Sequence, residues 1–307
     1  MSWGDRCIIF LHQTWKDISL DVANEGTPYE FQHSYYWVLQ RLDYCIRTSD
    51  GLRVSRVVGT APQSTSNSSQ VSQSAATSAP QVISGAGDEV PKVVEAYRQA
   101  LGGVNNSGKP GSQPSGRREI NWDGVPDQFA APNNLPSDFF NAPTEPRARG
   151  ALLTTPGTAL QVSADSDNPT DTPVRFAHIN PSYRRMFHAF SEQRLFSPIG
   201  SHIVDLTFYV PGTKTPAVVR GFGAVYLDVD TKHTAFEYFD INGKSLGTFQ
   251  TPIADNGQSF LGVVFPNAIV HRVRIRYGTT ALGPNDGVKT DVAVMDDFIY
   301  GEPQPAQ

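Results

Sequence analysis

The side chains of this 307-residue chain best placed to do chemistry are carboxylates near the two ends of its second half. Asp123 stands in Asn121-Trp122-Asp123-Gly124, and Asp296 and Asp297 stand side by side in Met295-Asp296-Asp297-Phe298. If these segments are the opening and closing strands of one fold, and if those strands pair, the three carboxylates approach each other. Oxygen donors from separate segments are what Ca²⁺ requires, and a bound ion would pin the chain ends together. Adjacent strand residues point to opposite faces, so at most one of Asp296 and Asp297 is expected to turn inward. The competing reading is that Asp123 starts a turn and the acidic pair is solvated or bonded to backbone.

Other acidic and basic groups are less specific. Asp165-Ser166-Asp167-Asn168-Pro169-Thr170-Asp171 has an Asp-x-Asp start, but Pro169 and Thr170 occupy the fifth and sixth places, where a calcium loop needs a ligand and a glycine. It reads as a turn-rich loop. Asp228 and Asp230 flank Val229 on one face of a strand end, and serve equally as secondary ligands or turn residues. Arg272, Arg274 and Arg276 form a same-face row whose default partners are carboxylates across the sheet. Arg184, Arg185 and Arg194, interleaved with Tyr183, Phe187 and Phe196, are the better candidate for contact with a ligand. Aromatic rings stack on sugar faces while charged groups bind hydroxyls, which makes Tyr183, Arg184, Phe187 and Arg194 the expected glycan-binding residues.

Signatures of catalysis are weak. Gly243-Lys244-Ser245-Leu246-Gly247 fits G-x-S-x-G, yet it follows Asn242-Gly243 between two strand patterns, whereas a nucleophile elbow needs a strand-to-helix turn. There is no H-E-x-x-H and no glycine-rich phosphate loop before a helix. The expectation is a non-catalytic module. A hydrolase with two carboxylates remains as an alternative, since that spacing is spatial.

The elements that must position these groups are strands. From Arg118 onward the apolar period is two, with candidate strands at 119–122, 151–155, 159–163, 203–210, 218–228, 234–240, 244–250, 259–265, 269–277 and 292–300. They are short, rich in β-branched and aromatic residues, and bounded by Gly, Pro, Asn or Asp. Asn242-Gly243 predicts a type I′ hairpin. Many strands without crossover helices predict an all-β fold, an antiparallel β-sandwich or jelly roll over 118–303, with 304–307 as a tail. Residues 170–198 are the exception, an aromatic excursion or short helix against the sandwich edge.

Ahead of the sandwich lie a segment of unassigned structure (1–57), a Ser/Thr/Gln-rich flexible linker (58–87), a short helix (88–102) and a second linker (103–117). In the helix Pro91 suits the first turn, and Val93, Val94, Tyr97 and Leu101 form an apolar stripe. Hydrophobic residues make up 39% of the chain and Gly and Pro number 26 and 23, the profile of a globular part diluted by linker. A net charge of −5 and a pI near 5.8 argue against a nucleic-acid partner. The two cysteines, Cys7 and Cys45, lie outside the sandwich and give it no disulfide framework. No apolar run is long enough for a membrane span, and Cys7–Leu11 is too short for a signal-peptide core.

Several strings carry a resemblance: Gly221-Phe222-Gly223-Ala224-Val225, Glu237-Tyr238-Phe239-Asp240-Ile241-Asn242-Gly243, Ser259-Phe260-Leu261-Gly262-Val263 and Val294-Met295-Asp296-Asp297-Phe298. Over roughly 117–303 the chain resembles ectodomains of bacterial exported proteins, including those with a PEP-CTERM sorting tail, themselves similar to jelly-roll lectins and carbohydrate-binding modules. Trp122-Asp123-Gly124 matches their aromatic-Asp-Gly opening. The sorting tail itself is not found before Gln307. The resemblance implies a glycan or polysaccharide partner, an extracellular or cell-surface setting, and a structural Ca²⁺ joining first and last strands through Asp123 with Asp296 or Asp297. A structural or adhesive surface protein without a small ligand is the alternative it leaves open.

Overall fold

The computed structural model describes residues 79–283 and 290–307. The segment 1–57, most of the 58–87 linker and both cysteines lie outside the described residues. Gln81–Ala86 form strand β1, Val90–Leu101 helix α1, Arg117–Ile120 β2, Ala151–Thr154 β3 and Ala159–Val162 β4. Tyr183–Met186 form a single helical turn, α2, followed by β5 (Phe196–Ile199), β6 (Ile203–Phe208) and β7 (Ala217–Val218). The long strands β8 (Gly221–Val229), β9 (Ala235–Phe239), β10 (Ser245–Gln250), β11 (Ala254–Val264), β12 (Arg272–Arg276) and β13 (Val294–Gly301) come next, and β14 (Gln304–Pro305) closes the chain.

These strands form two antiparallel sheets. One has the order β1-β11-β8-β13-β5-β4, with β2 also paired to β13; the other has the order β10-β9-β12-β6-β3. Apolar side chains of both sheets share one core: Phe222 and Tyr226 of β8 and Phe298 and Tyr300 of β13 face Phe208 of β6, Phe236 and Tyr238 of β9 and Ile275 of β12. The expected sandwich is therefore present, and all ten sequence-predicted strands are found, with their ends shifted.

The larger sheet is apolar on both faces. Every residue of β8 and β13 is buried, as in strands covered on both sides. A second core lies on the outer face, where Val90, Val94, Tyr97 and Leu101 of α1 meet Val225, Leu227, Phe260 and Ile299. Glycines make the helix fit. Side chains added at Gly223 or Gly262 would run into the Tyr97 ring, and the Tyr97 hydroxyl donates to the Val263 carbonyl at 3.3 Å.

Several expected linkers are structured. Gln81–Ala86, placed in the flexible stretch, pairs along its whole length with β11. Residues 103–117 are an ordered loop gathered by Arg118. Its guanidinium donates to the carbonyls of Ser107, Lys109, Gly111 and Ala148 and to both oxygens of Glu302. The expected tail is partly a strand, since β14 pairs with β7. The β9–β10 hairpin is correct but its turn is not type I′. Asp240 and Lys244 flank a three-residue loop in which Gly243 alone takes a positive φ, 78°. This is the type I turn with a following left-handed glycine.

Candidate metal centre

The opening segment is fixed to the closing strand by Trp122. Its indole Nε1 donates to the Asp296 carbonyl at 2.7 Å. The ring stacks on Phe196 at 4.2 Å and meets Phe298 edge-on at 4.9 Å. Trp122 itself has φ 66°, and this left-handed residue, two past the end of β2, starts the turn that carries Asp123. An aromatic anchor thus stands beside a carboxylate, and the anchor settles where the carboxylate goes.

Asp296 and Asp297 are brought together by a bulge. Met295 pairs with Tyr226 and Phe298 with Ala224, so β13 spends one more residue than β8 between these pairs. An inserted residue breaks the two-residue alternation. The expectation that only one of the two carboxylates faces the site is therefore overturned, and both approach the same point. The opposite edge of β13 changes partner here as well, from β5 at Met295 to β2 at Phe298.

That common point is the hydroxyl of Ser191, in the excursion between α2 and β5. Its Oγ lies 2.7 Å from Asp296 Oδ1, 2.9 Å from Asp297 Oδ1, 3.2 Å from Asp123 Oδ2 and 3.5 Å from the Asn121 carbonyl. The far oxygens are held too. Asp296 Oδ2 accepts from the backbone N–H of Phe190 and Ser191, and Asp123 Oδ1 from those of Gln193 and Arg194. Arg98 of α1 reaches Asp297 at 3.8 Å but is engaged at 2.8 Å by Glu119.

The electrostatics of this arrangement are unbalanced. One hydroxyl carries one proton, and three carboxylates and a carbonyl surround it. Asp296 is fully buried and Asp297 nearly so. Burial, followed by the neighbouring Asp297 charge, pushes the Asp296 carboxyl well above its ordinary range, against hydrogen bonds from Ser191 and Phe190. Burial raises Asp297 as well, against Ser191, Asp296 and Arg98. Buried carboxylates demand a proton, a cation or a full set of donors. The donors, three carboxylates, a hydroxyl and a carbonyl, are hard oxygens of the kind Ca²⁺ takes, but they converge on the Ser191 hydroxyl itself, and the three carboxylates do not all come within 4.8 Å of one another.

A second acidic group lies at the far end of β8. Asp228, Asp230 and Asp255 present carboxylate oxygens within 4.8 Å of one another. Asp228 has φ 64° and accepts the Asn256 backbone N–H at 2.7 Å. The β8–β11 register breaks between Ala254 and Gln258 at the same place. Asp230 and Asp255 are exposed, so water and salt screen this cluster as they do not screen the buried one.

The expected glycan contacts fare differently. Tyr183 and Phe187 are completely buried on the outer face of the larger sheet. Arg194 is 3% exposed and ion-paired to Asp127 and Asp165. Arg184 alone of the four is exposed. The basic-aromatic pattern was packing: the excursion is apolar because it covers a sheet. The Asp165 loop is held by Asn168, whose side chain bonds the backbone of Asp165, Thr170 and Thr172. In the arginine row, Arg272 and Arg274 both pair with Asp205, and Arg272 lies 3.7 Å over the Phe239 ring. Ser245 of the G-x-S-x-G string sits in β10 and donates to Glu237. Sequence reasoning passed over Ser191, Asn121 and Arg98; a lone serine in an irregular segment carries no signal of its own.

The chain matches no protein-family model, no curated protein and no solved structure.

Proposed function

We propose that this chain is a non-catalytic binding module whose sandwich is clasped by a divalent cation, Ca²⁺ by donor chemistry, at Asp123, Asp296 and Asp297. The observation that carries this reading is the Ser191 hydroxyl ringed by three carboxylates, two of them buried, with one proton among them. A cation would take the central place that the Ser191 hydroxyl now holds, with the three carboxylates drawn in around it. A cation there neutralises the buried charge and ties the opening segment, the excursion and the closing strand together. Its role is structural, and its ligands are spent on holding the fold.

The direct test is the melting temperature in Ca²⁺ against EDTA. A ligand of the native state stabilises by mass action, about 2.7 kcal/mol at a hundredfold excess over its dissociation constant. The expected result is a rise of several degrees with Ca²⁺ that is lost in Asp123→Asn. An equal melting temperature in Ca²⁺ and EDTA overturns the clasp. If Asp255→Asn abolishes the response and Asp123→Asn leaves it intact, the ion belongs to the cluster at the end of β8.

The binding partner we propose is a glycan, met in an extracellular or cell-surface setting, on the strength of the resemblance over 117–303. Burial of Tyr183, Phe187 and Arg194 moves the surface elsewhere. The outer face of the smaller sheet, with Arg272, Arg274, Arg276, Glu237 and Phe239, offers hydrogen-bonding groups and a ring on rigid strands. Glycan-array binding lost in Arg276→Ala supports it, and a blank array removes it. A structural or adhesive role is the second reading, favoured by the burial of three of the four expected contact residues.

A further inference from the structure

The two flanks of the sandwich are finished in different ways. On one flank, residues 130–141 seal both sheets: Ala131 and Leu135 donate N–H groups to the carbonyls of Val162 and Leu160 in β4, and Leu153 of β3 donates to Ser137. On the other, β10 ends the smaller sheet. Among the described residues no backbone hydrogen bond reaches its outer edge.

Exposed edges are normally blunted by charge or proline, since unpaired N–H and C=O groups template further pairing. Strand β10, Ser245-Leu246-Gly247-Thr248-Phe249-Gln250, has neither. The charges of this sheet sit instead on inner strands: Arg272, Arg274 and Arg276 on β12, Asp205 on β6 and Glu237 on β9. A bulge occupies the Ser245–Gly247 end, and Thr248 to Gln250 run in regular register with β9. Leu246 and Phe249 pack toward the core, while Ser245, Thr248 and Gln250 are exposed.

We infer that β10 is a self-association edge, pairing antiparallel with β10 of a second copy about a two-fold axis and joining two five-stranded sheets. Two features select a second copy as the occupant. A two-fold at Thr248 opposes threonine to threonine, a favourable cross-strand pair, and β10 carries no charge to meet another across the axis. The second feature is apolar. Ile241 stands before the start of β10 and Ile253 beyond its end, and antiparallel pairing brings the end of each strand toward the start of the other. Ile241 and Ile253 are 39% and 48% exposed, two of the four large hydrophobics exposed among the described residues. Ile241 and Leu246 also line a groove of about 620 Å³ with Val218, Ile269 and Pro305 at that end of the strand. The two-fold therefore gathers the exposed isoleucines of the two copies toward both ends of the joined strands.

The experiment is sedimentation velocity on the full chain from about 1 to about 300 μM, a range that spans weak association. A monomer–dimer equilibrium is expected, with a dissociation constant raised at least about tenfold by Thr248→Lys, which places two ammonium groups on the axis. Thr248 is exposed, and circular dichroism checks that the variant folds. Ile253→Asp, outside the strand, is expected to weaken the dimer also, and serves if the lysine disturbs the hairpin. A monomer across the whole range overturns the inference, as does a dimer whose affinity neither folded variant changes.

Discussion

Asp296 and Asp297 illustrate how one residue decides the use of its neighbours. Were β13 regular, one carboxylate would point into the core between the sheets and the other toward α1. The bulge sends both to Ser191. Without a cation their raised values set the sign of the pH dependence: a carboxyl whose folded value exceeds its unfolded one stabilises the fold below the unfolded value, and that contribution is lost as pH rises through the folded value. In EDTA the melting temperature is thus expected to fall as pH rises from about 4 to about 7, relative to Asp296→Asn, which has no such proton to lose. Calcium should reverse the trend, because the ion replaces the proton. Differential scanning fluorimetry of both proteins with and without Ca²⁺ across this range measures it; parallel curves would remove the pair from the account. Asp205 acts with the opposite sign. Burial pushes its carboxyl up, but hydrogen bonds and charge from Arg274 and Arg272 outweigh that and hold it low. Its contribution is present above the unfolded value and fades as pH falls through the folded one, weakly, since water reaches and screens this partly buried pair.

At the scale of elements, the docking of α1 rests on missing side chains as much as on present ones. Gly223 and Gly262 lie side by side in register on β8 and β11, and leave a slot the width of the Tyr97 ring. Gly262→Ala is expected to cost about 1–3 kcal/mol through overpacking, and to speed hydrogen exchange along α1 more than along the core of the smaller sheet. Exchange unchanged in the helix would mean that the slot is not what holds it. Arg118 does for the 103–116 loop what Tyr97 does for the helix. Truncating one partner of a buried pair leaves the other charge unpaired, so Arg118→Met is expected to destabilise by about 3–5 kcal/mol, measured by urea unfolding. Arg118→Met with Glu302→Gln should recover part of the loss.

Whether such elements were legible in advance follows from what each signal is made of. Alternation revealed ten strands because half-buried strands write their two faces into the sequence. It missed β1, β5 and β14, which carry no clear alternation. The glycines of β8 and β11 were visible as a motif, but their purpose depends on a tyrosine 126 to 165 positions away. Likewise Asp123 and the acidic pair stood out as carboxylates in apolar surroundings, whereas the bulge that unites them leaves no mark, since Val294, Met295, Phe298 and Ile299 are apolar whichever face they take. The excursion misled for a related reason. Aromatics with arginines suit a ligand surface and a buried lid equally, and only the apolar outer face of β8 and β13 distinguishes the two.

For the molecule as a whole, that outer face changes what counts as the domain. Periodicity alone starts the sandwich at Arg118, but a fold cut there keeps both sheets and loses β1, α1 and the loop that Arg118 and Glu302 organise. Val225, Leu227, Phe260, Val264 and Ile299 would then face water where Val90, Val94, Tyr97 and Leu101 had covered them. Burying one such side chain stabilises by about 1.5–3 kcal/mol, and several together compare with the whole stability of an ordinary domain, about 5–15 kcal/mol. A fragment spanning 118–303 is therefore expected to aggregate or to bind a hydrophobic dye without a cooperative melt, while one spanning 79–307 melts cooperatively. If the shorter piece melts as sharply as the longer, the helix layer is an ornament on a self-sufficient sandwich. If only the longer one does, the three layers fold as one unit, and the cation centre, fed from β13, the opening segment and the excursion, depends on the layer that α1 completes.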